Sequence, residues 1–233
     1  MADRFFTRDP IPAGDFVLSG PEAHHLHAVR RIGVGESIIL FNGDGRAYPA
    51  EVIGVGKKSV QLIVGEPIQT DRERPFAPWI ASAIPKGDRL DFLIEKLTEL
   101  GAARFTPLVA ERSAVRPKAD VVEKYERMVI EASKQCGRNR LMSVDSPQSW
   151  LTFVHRADLP ATRMVLHTGP ELPKVSAGGG CAVAVGPEGG FAPEELSLAV
   201  GSGWVAASLG SRVLRVETAA VAAAAVLGNA PAN

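Results

Sequence analysis

The sequence predicts an α/β protein in two parts, a small β-barrel domain over residues 1–72 and a mostly parallel sheet with intervening helices over residues 73–233. Three observations predict it. Up to residue 64, short apolar runs are joined by tight turns and only one helical stretch intervenes. Beyond residue 78, apolar runs alternate with longer amphipathic stretches, the pattern of strands and helices in turn. Between the two, residues 67–78 read Pro-Ile-Gln-Thr-Asp-Arg-Glu-Arg-Pro-Phe-Ala-Pro, polar and proline-rich as a domain boundary is.

In the first part a helix is predicted over residues 21–31, with Ser19 or Gly20 near its cap and Gly33 beyond its end. Residues 36–41 form a strand, Asn42-Gly43-Asp44-Gly45 a hairpin turn, and residues 46–55 the returning strand; Gly56-Lys57-Lys58 then turns into a strand over residues 59–64. In the second part strands are predicted at residues 79–84, 105–110, 164–167, 181–185 and 205–208. Helices fall at residues 88–100, where Leu90, Leu93, Ile94, Leu97 and Leu100 make one stripe, at 121–136, at 148–155, after Pro193, and at 217–227. Glu194 and Glu195 sit in the first turn opened by Pro193, where negative charge is favoured. The last helix, rich in alanine, gains stability mainly by very close packing on other elements or at a subunit interface. Apart from a short linker at Gly178-Gly179-Gly180, no repeat or low-complexity tail is present. By pattern alone this is an unknotted doubly wound sheet, because knots are rare.

Composition bounds the function. At 233 residues, 45% hydrophobic and 22% charged, the chain has the make-up of a soluble globular protein with room for two cores. Lys plus Arg equals Asp plus Glu at 26 each, so overall charge points to no nucleic-acid partner and any basic surface must come from clustering. One cluster exists: residues 112–140 carry eight Lys or Arg against four acids. Two cysteines, Cys136 and Cys181, make no disulfide framework or Cys-x-x-Cys pair. The first residues lack a secretory apolar core, and the longest apolar run, residues 219–227, is about half a membrane span. A cytoplasmic protein is expected.

The motifs that carry chemistry lie late. Gly186-Pro187-Glu188-Gly189-Gly190-Phe191 follows the strand at 181–185, and Leu209-Gly210-Ser211-Arg212-Val213-Leu214-Arg215-Val216-Glu217-Thr218 follows the strand at 205–208. Loops at the C-terminal ends of such strands are where α/β sheets bind small ligands. Glycine lets a backbone come close to a ligand, and its N–H and C=O groups suit the edge of an adenine ring. No G-x-G-x-x-G opens an early strand-helix unit and Gly56-Lys57-Lys58 lacks the P-loop spacing, which argues against a dinucleotide enzyme and an NTPase. His24 and His27 share a helical face, but no carboxylate or cysteine completes a metal site, and none is predicted. A solvated polar face is the plain reading of that helix; an RNA-touching edge, with Arg30, Arg31, Lys57 and Lys58 contacting phosphates without sequence readout, is the other.

With these segments in order, the chain resembles the RsmE family, SPOUT-superfamily methyltransferases acting on N3 of a uridine in bacterial 16S ribosomal RNA. The resemblance rests on His24-His25-Leu26, Lys86-Gly87-Asp88-Arg89 running into Glu99-Leu100-Gly101, Glu111-Arg112-Ser113, residues 131–138 (Glu-Ala-Ser-Lys-Gln-Cys-Gly-Arg), and the two late motifs, in the family's order. It implies a PUA-like RNA-binding barrel before a SPOUT sheet with a C-terminal trefoil knot, and a homodimer paired through the knot region. It implies S-adenosylmethionine as cofactor, held by Leu166, His167, Gly186, Pro187, Glu188, Gly189, Ser208, Leu209, Gly210, Val213 and Leu214. It implies ribosomal RNA of the small subunit as partner, touched by His25, Arg30, Arg31, Lys86, Arg112, Lys134 and Arg138, with neither membrane nor metal involved. The His-Thr-Gly-Pro-Glu run from His167 departs from the family's pattern in the first cofactor loop.

N-methylation of uracil sets the catalytic requirement: the N3 proton must leave and charge spreading onto the uracil oxygens must be stabilised. Arg212 and Arg215 are the candidate cations, since a guanidinium fork pairs with a uracil oxygen or a flanking phosphate. Glu188 is the candidate base, or else orients the cofactor; paired with an arginine it would instead fix the loops. Glu217 reads as a helix cap. Rival readings are a SPOUT enzyme for a ribose 2′-oxygen or transfer RNA, and a non-catalytic RNA-binding assembly factor.

Overall fold

The computed structural model describes residues 2–69, 72–73, 77–171 and 180–228. Part of the expected boundary (residues 70–71 and 74–76) and Gly178-Gly179 of the glycine linker lie outside the described residues. The chain divides into two compact units, Met1–Glu73 with Ile130–Leu141, and Arg74–Val129 with Met142–Asn233.

The first unit is built on five strands, β1 (Arg4–Phe6), β2 (Gly14–Ser19), β3 (Ser37–Phe41), β4 (Tyr48–Val55) and β5 (Ser59–Val64), in the order β1-β3-β4-β5-β2. β1 runs parallel to β3, and the other neighbours are antiparallel. The hairpin turn forms where Asn-Gly-Asp-Gly predicts it, with Gly43 and Gly45 at φ 91° and 96°, a region glycine enters without steric cost. Alternation sends Val60, Leu62 and Val64 of β5 into a core shared with Leu18, Ile38, Leu40 and Val52. The predicted helix splits into α1 (Gly20–His24) and a π-helical turn over His25–Val29, closed by Arg30 N–H donating to the His25 carbonyl at 2.9 Å. Leu26 points inward while Arg31 ends the turn at φ 59°, the only described non-glycine residue at positive φ.

Residues 130–141 belong to this unit for a packing reason: Ile130 joins Phe6 and Phe41 in a small apolar cluster, with Leu141 against it. Lys134 pairs with Glu22 and Glu131, and Arg138 holds Glu73 with two bonds at 3.0 and 2.7 Å.

The second unit carries β6 (Trp79–Ala83), α2 (Arg89–Glu99), β7 (Arg104–Val109), the first half of α3 (Val122–Cys136), β8 (Ser143–Val144), β9 (Gln148–Ser149), α4 (Trp150–Val154), β10 (Thr162–Glu171), β11 (Cys181–Val185), α5 (Pro193–Gly201), β12 (Val205–Ser208) and α6 (Val216–Gly228). Its sheet has the order β12-β10-β11-β6-β7-β8, with β9 also on β7, and every pairing is parallel. β6 and β11 are buried along their whole length, as central parallel strands with both faces covered should be. The parallel arrangement brings Leu166 and His167 of β10 and the loops that follow β11 and β12 to one edge.

Two elements differ from their predicted form. Residues 148–155 begin as β9, because Gln148 and Ser149 pair with Leu108 and Val109; helix starts only after Ser149, whose hydroxyl accepts from Thr152 N–H at 3.1 Å. β10 runs to Glu171, beyond the predicted end at residue 167, because it pairs with β11 up to Leu166 and meets β12 again at Glu171 after an irregularity.

At the other edge, the starts of β6 and β7 are held by an ionic cluster. Asp145 accepts from Arg104, from Arg156 at 3.0 Å and from the Thr106 hydroxyl at 2.6 Å, while both guanidinium groups lie over the Trp79 ring at 4.0 and 4.8 Å. Hydrogen bonds from Arg156 and then Arg104 hold the Asp158 carboxyl well below the usual carboxylate range. α6 buries Val216, Glu217, Ala220, Ala223, Ala224 and Leu227 on the side that packs against α2, β6 and β11, where small side chains permit close approach.

Candidate active site

Strand β10 and the two loops after β11 and β12 converge on one cleft of about 280 Å³ at the C-terminal edge of the second unit's sheet. Leu166 and His167 of β10 form one wall, residues 185–190 after β11 a second, and Ser208, Leu209, Gly210, Arg212, Val213 and Leu214 after β12 a third; Val216 and Ala219 of α6 complete it. Every residue expected to hold a cofactor therefore lines the cleft.

Local chemistry fixes the central loop. Pro187 and Gly190 close a turn, Gly190 N–H donating to the Pro187 carbonyl at 2.8 Å with Gly190 at φ 69°. Gly186 lies against Phe191: a Cβ there would stand 2.9 Å from Phe191 Cδ2 and 3.2 Å from its backbone nitrogen. The Phe191 ring cannot swing away, because it is buried against Trp150 with centroids 4.5 Å apart. Glu195 anchors the same region. One of its carboxylate oxygens accepts from Ala192 N–H and the other from Glu111 N–H, each at 2.9 Å, and its carbonyl accepts from Trp150 Nε1 at 3.0 Å. Glu111 brings Arg112 over the loop, and Arg112 Nη1 donates to the Gly189 carbonyl at 3.0 Å.

Residues 72–228 match the model of the RNA methyltransferase domain, and residues 18–65 that of the RNA methyltransferase PUA domain. Ribosomal RNA small subunit methyltransferase E of Bacillus subtilis is 33% identical over 222 residues, covering 89% of this chain and 87% of the relative. The protein of that name from Mycobacterium bovis is 33% identical over 242 residues, covering 98% and 92%. This chain belongs to the ribosomal RNA small subunit methyltransferase E family. Among solved structures, the family's protein from Neisseria gonorrhoeae, bound to S-adenosyl methionine, superposes with a TM-score of 0.90 at 30% identity, covering 97% of this chain and 96% of that one. A methyltransferase from Legionella pneumophila, in complex with the bound cofactor SAM, gives 0.90 at 34% identity, covering 97% of each.

Of the candidate catalytic residues, Arg212 and Glu188 line the cleft and both are exposed. Arg215 is exposed but not part of the lining; its carbonyl accepts from Ala219 N–H at 2.8 Å in the first turn of α6. Glu217, expected as a cap, is buried instead beside α2, with Arg89 Nε 3.6 Å from its Oε1. Burial pushes the Cys181 thiol up to about 12, which keeps it protonated and unreactive near neutral pH.

The expected RNA contacts separate into two groups. Arg31, Lys86 and Arg112 are exposed; Arg30 is exposed too but pairs with Asp3, and His25 is half-buried, edge-on to Phe5 with ring centroids 6.1 Å apart. Lys134 and Arg138 are placed differently from the expectation. Their side chains are only 10% and 6% exposed, and their charges are paired with Glu22, Glu131 and Glu73 inside the first unit. Among the described residues no group of His, Cys, Asp or Glu is placed to hold a metal ion, and no helix is long and apolar enough to cross a membrane.

Sequence reasoning missed the Glu111-Arg112 turn docked on Gly189 and the part of Glu195 in holding it. Half of that signal is visible: a glutamate two residues after Pro193 sits at the helix's third position, where it bonds back to the backbone N–H preceding the helix. The other half, the reach from Glu195 to Glu111, spans 84 residues and follows only from the fold.

Proposed function

We propose that this protein transfers the methyl group of S-adenosylmethionine to N3 of a uridine in 16S ribosomal RNA of the small subunit. The observation that carries the proposal is the convergence of β10 and the loops after β11 and β12 on one cleft, in a chain whose relatives bear that enzyme's name and have been solved with the cofactor bound.

The residues present fit that cofactor. Phe191 packs where a Cβ of Gly186 would stand and Arg112 lies 3.4 Å from where a Cβ of Gly189 would be, so the loop is bare backbone here and its N–H and C=O groups are available to the adenine edge. Leu166, Leu209, Val213 and Leu214 offer apolar surface to the ring, and Glu188, His167 and Ser208 offer polar groups to the ribose and the amino acid part. Bound there, S-adenosylmethionine supplies a methyl group activated by its sulfonium.

The chain's own residues must position uracil and manage its proton. N3 becomes nucleophilic as its proton leaves, and the charge then spreads onto O2 and O4. Arg212, on the wall of the cleft, is suited to pair with one of those oxygens, and Arg215 with the other or with a flanking phosphate. Glu188, exposed on the rim, takes the proton or orients the cofactor. N3 faces its partner inside a duplex, so the target uridine is unpaired or turned out of its stack.

In this reading residues 1–72 are a PUA-like RNA-binding domain and residues 73–233 the SPOUT methyltransferase domain, its C-terminal segment threaded as a trefoil knot. The sheet order, with β10 between β11 and β12, supports the knot. A homodimer through the knot region is supported by exposed Val226 on α6 and Phe92 on the adjacent α2. Arg30, Arg31, Lys86, Arg112 and, through its ring edge, His25 serve as RNA contacts, while Lys134 and Arg138 hold the 130–141 segment in shape for the RNA. The enzyme works in the cytoplasm, where ribosomal subunits are made.

Calorimetric titration with S-adenosylmethionine tests the cofactor half of the proposal. Saturable binding at one site per chain is expected; absence of heat with both S-adenosylmethionine and S-adenosylhomocysteine would reduce the protein to an RNA-binding module.

A further inference from the structure

The first unit carries a second concentration of positive charge, built from residues that the sequence places far apart. Arg4 reaches the Asn139 side chain and the Arg138 carbonyl (3.2 Å), with its guanidinium 4.8 Å over the Phe41 ring. Exposed Arg140 lies flat on the hairpin turn: a Cβ on Gly45 would stand 3.1 Å from its Nε and 3.3 Å from its Cζ. Exposed Arg72 occupies the equivalent space at Gly137, where a Cβ would meet its Nη1 and stand 3.2 Å from its Cζ.

What holds these groups is neutral. Arg4 is held by an amide oxygen and a carbonyl, and Arg72 Nη1 faces the Cys136 carbonyl at 3.5 Å. Among the described residues neither Arg4, Arg72 nor Arg140 has a carboxylate partner, whereas neighbouring Arg138 is neutralised by Glu73. Asp44 of the hairpin is occupied by the Tyr48 hydroxyl at 2.5 Å and by Arg46 N–H at 2.8 Å. Burial, and then the charge of Arg72, lowers the pKa of Arg4, so the cluster carries an internal like-charge cost. Arg4 and Arg72 are fixed by uncharged acceptors, and Arg72 and Arg140 are seated on glycines, so the three guanidinium groups keep their full charge in a set geometry, which is what planar recognition of phosphate oxygens needs.

We infer that Arg72 and Arg140, backed by Arg4, form a phosphate-binding surface that grips the backbone of the substrate RNA apart from the methyl-transfer cleft. The inference rests on the RNA-methyltransferase reading for its ligand. It reassigns backbone contact within residues 130–141: the paired Lys134 and Arg138 shape the segment, and Arg140 meets the RNA.

The test is the salt dependence of binding to a 16S ribosomal RNA transcript, followed by fluorescence anisotropy for the wild type, the Arg72→Gln/Arg140→Gln variant and the Arg72→Lys/Arg140→Lys variant. Each phosphate contact contributes about 0.7–0.9 to the slope of log affinity against log salt, so the glutamine variant should lose about 1.4–1.8 of slope and bind more weakly at low salt. The lysine variant keeps both charges and should recover most of the slope. Affinity for S-adenosylmethionine should stay unchanged in both. An unchanged slope in the glutamine variant, or an equal loss in the lysine variant, overturns the inference and makes the two arginines structural. Methylated-nucleoside analysis of the wild type is a separate readout: if it gave no N3-methyluridine, the function would fall while the slope comparison still judged the surface.

Discussion

Alanine in place of Gly186 is expected to weaken S-adenosylmethionine binding by about 10- to 100-fold, corresponding to the roughly 1–3 kcal/mol that an added methyl costs in a closed-packed site. The added Cβ meets Phe191 at both ring and backbone. The ring is trapped on Trp150, which is itself bonded to the Glu195 carbonyl, and Glu195 ties down the Glu111-Arg112 turn and the start of α5. Relief must therefore come from the loop carrying Pro187, Glu188 and Gly189, which moves the cleft wall. The added methyl should also lower the thermal midpoint by several degrees, at about 2–4 °C per kcal/mol for a chain of this size. Calorimetry and thermal unfolding check both effects. A Gly210→Ala variant is a useful contrast, since a Cβ there meets nothing within 4 Å and only the backbone at φ 115° opposes it.

Removal of the Arg212 side chain should act on the chemical step instead. Arg212→Ala is expected to lower kcat by about 10²–10³, the cost of losing a donor aimed at a developing oxyanion, while affinity for S-adenosylmethionine changes little. The residue is exposed on the cleft wall, so folding stability should move by less than about 0.5 kcal/mol. Single-turnover kinetics with bound cofactor separates the two readouts. A fall in cofactor affinity with kcat intact would place Arg212 in cofactor binding and leave charge stabilisation to Arg215.

Much of the architecture was legible because it obeys short-range rules. The strand Cys181–Val185 and the helix opened by Pro193 stand where an apolar run and a helix-start proline put them. The glycine-rich segments after β11 and β12 line the cleft because parallel strands end at one edge, which the alternation of strands and helices already implied. β1 and β2 escaped notice for a physical reason: β1 has only three residues and pairs with β3 in parallel, a partnership without a turn signature. The π-helical turn at His25–Val29 was equally hidden, since a helical pattern does not announce an extra residue in a turn. Charge counting over residues 112–140 found a basic segment but not its partners. Lys134 is paired with Glu22, 112 positions away, and Arg138 with Glu73, 65 away, so which arginines remain unpaired follows from the fold alone.

The cleft is proposed to deliver a methyl group to a uracil nitrogen. The most direct test is transfer from labelled S-adenosylmethionine to small ribosomal subunits purified from cells lacking the enzyme, with the modified RNA digested to nucleosides and separated. Label in N3-methyluridine, absent when the Arg212→Ala enzyme is used over the same time, is the predicted result. Label in a ribose-methylated nucleoside, or none despite saturated cofactor binding, would contradict it.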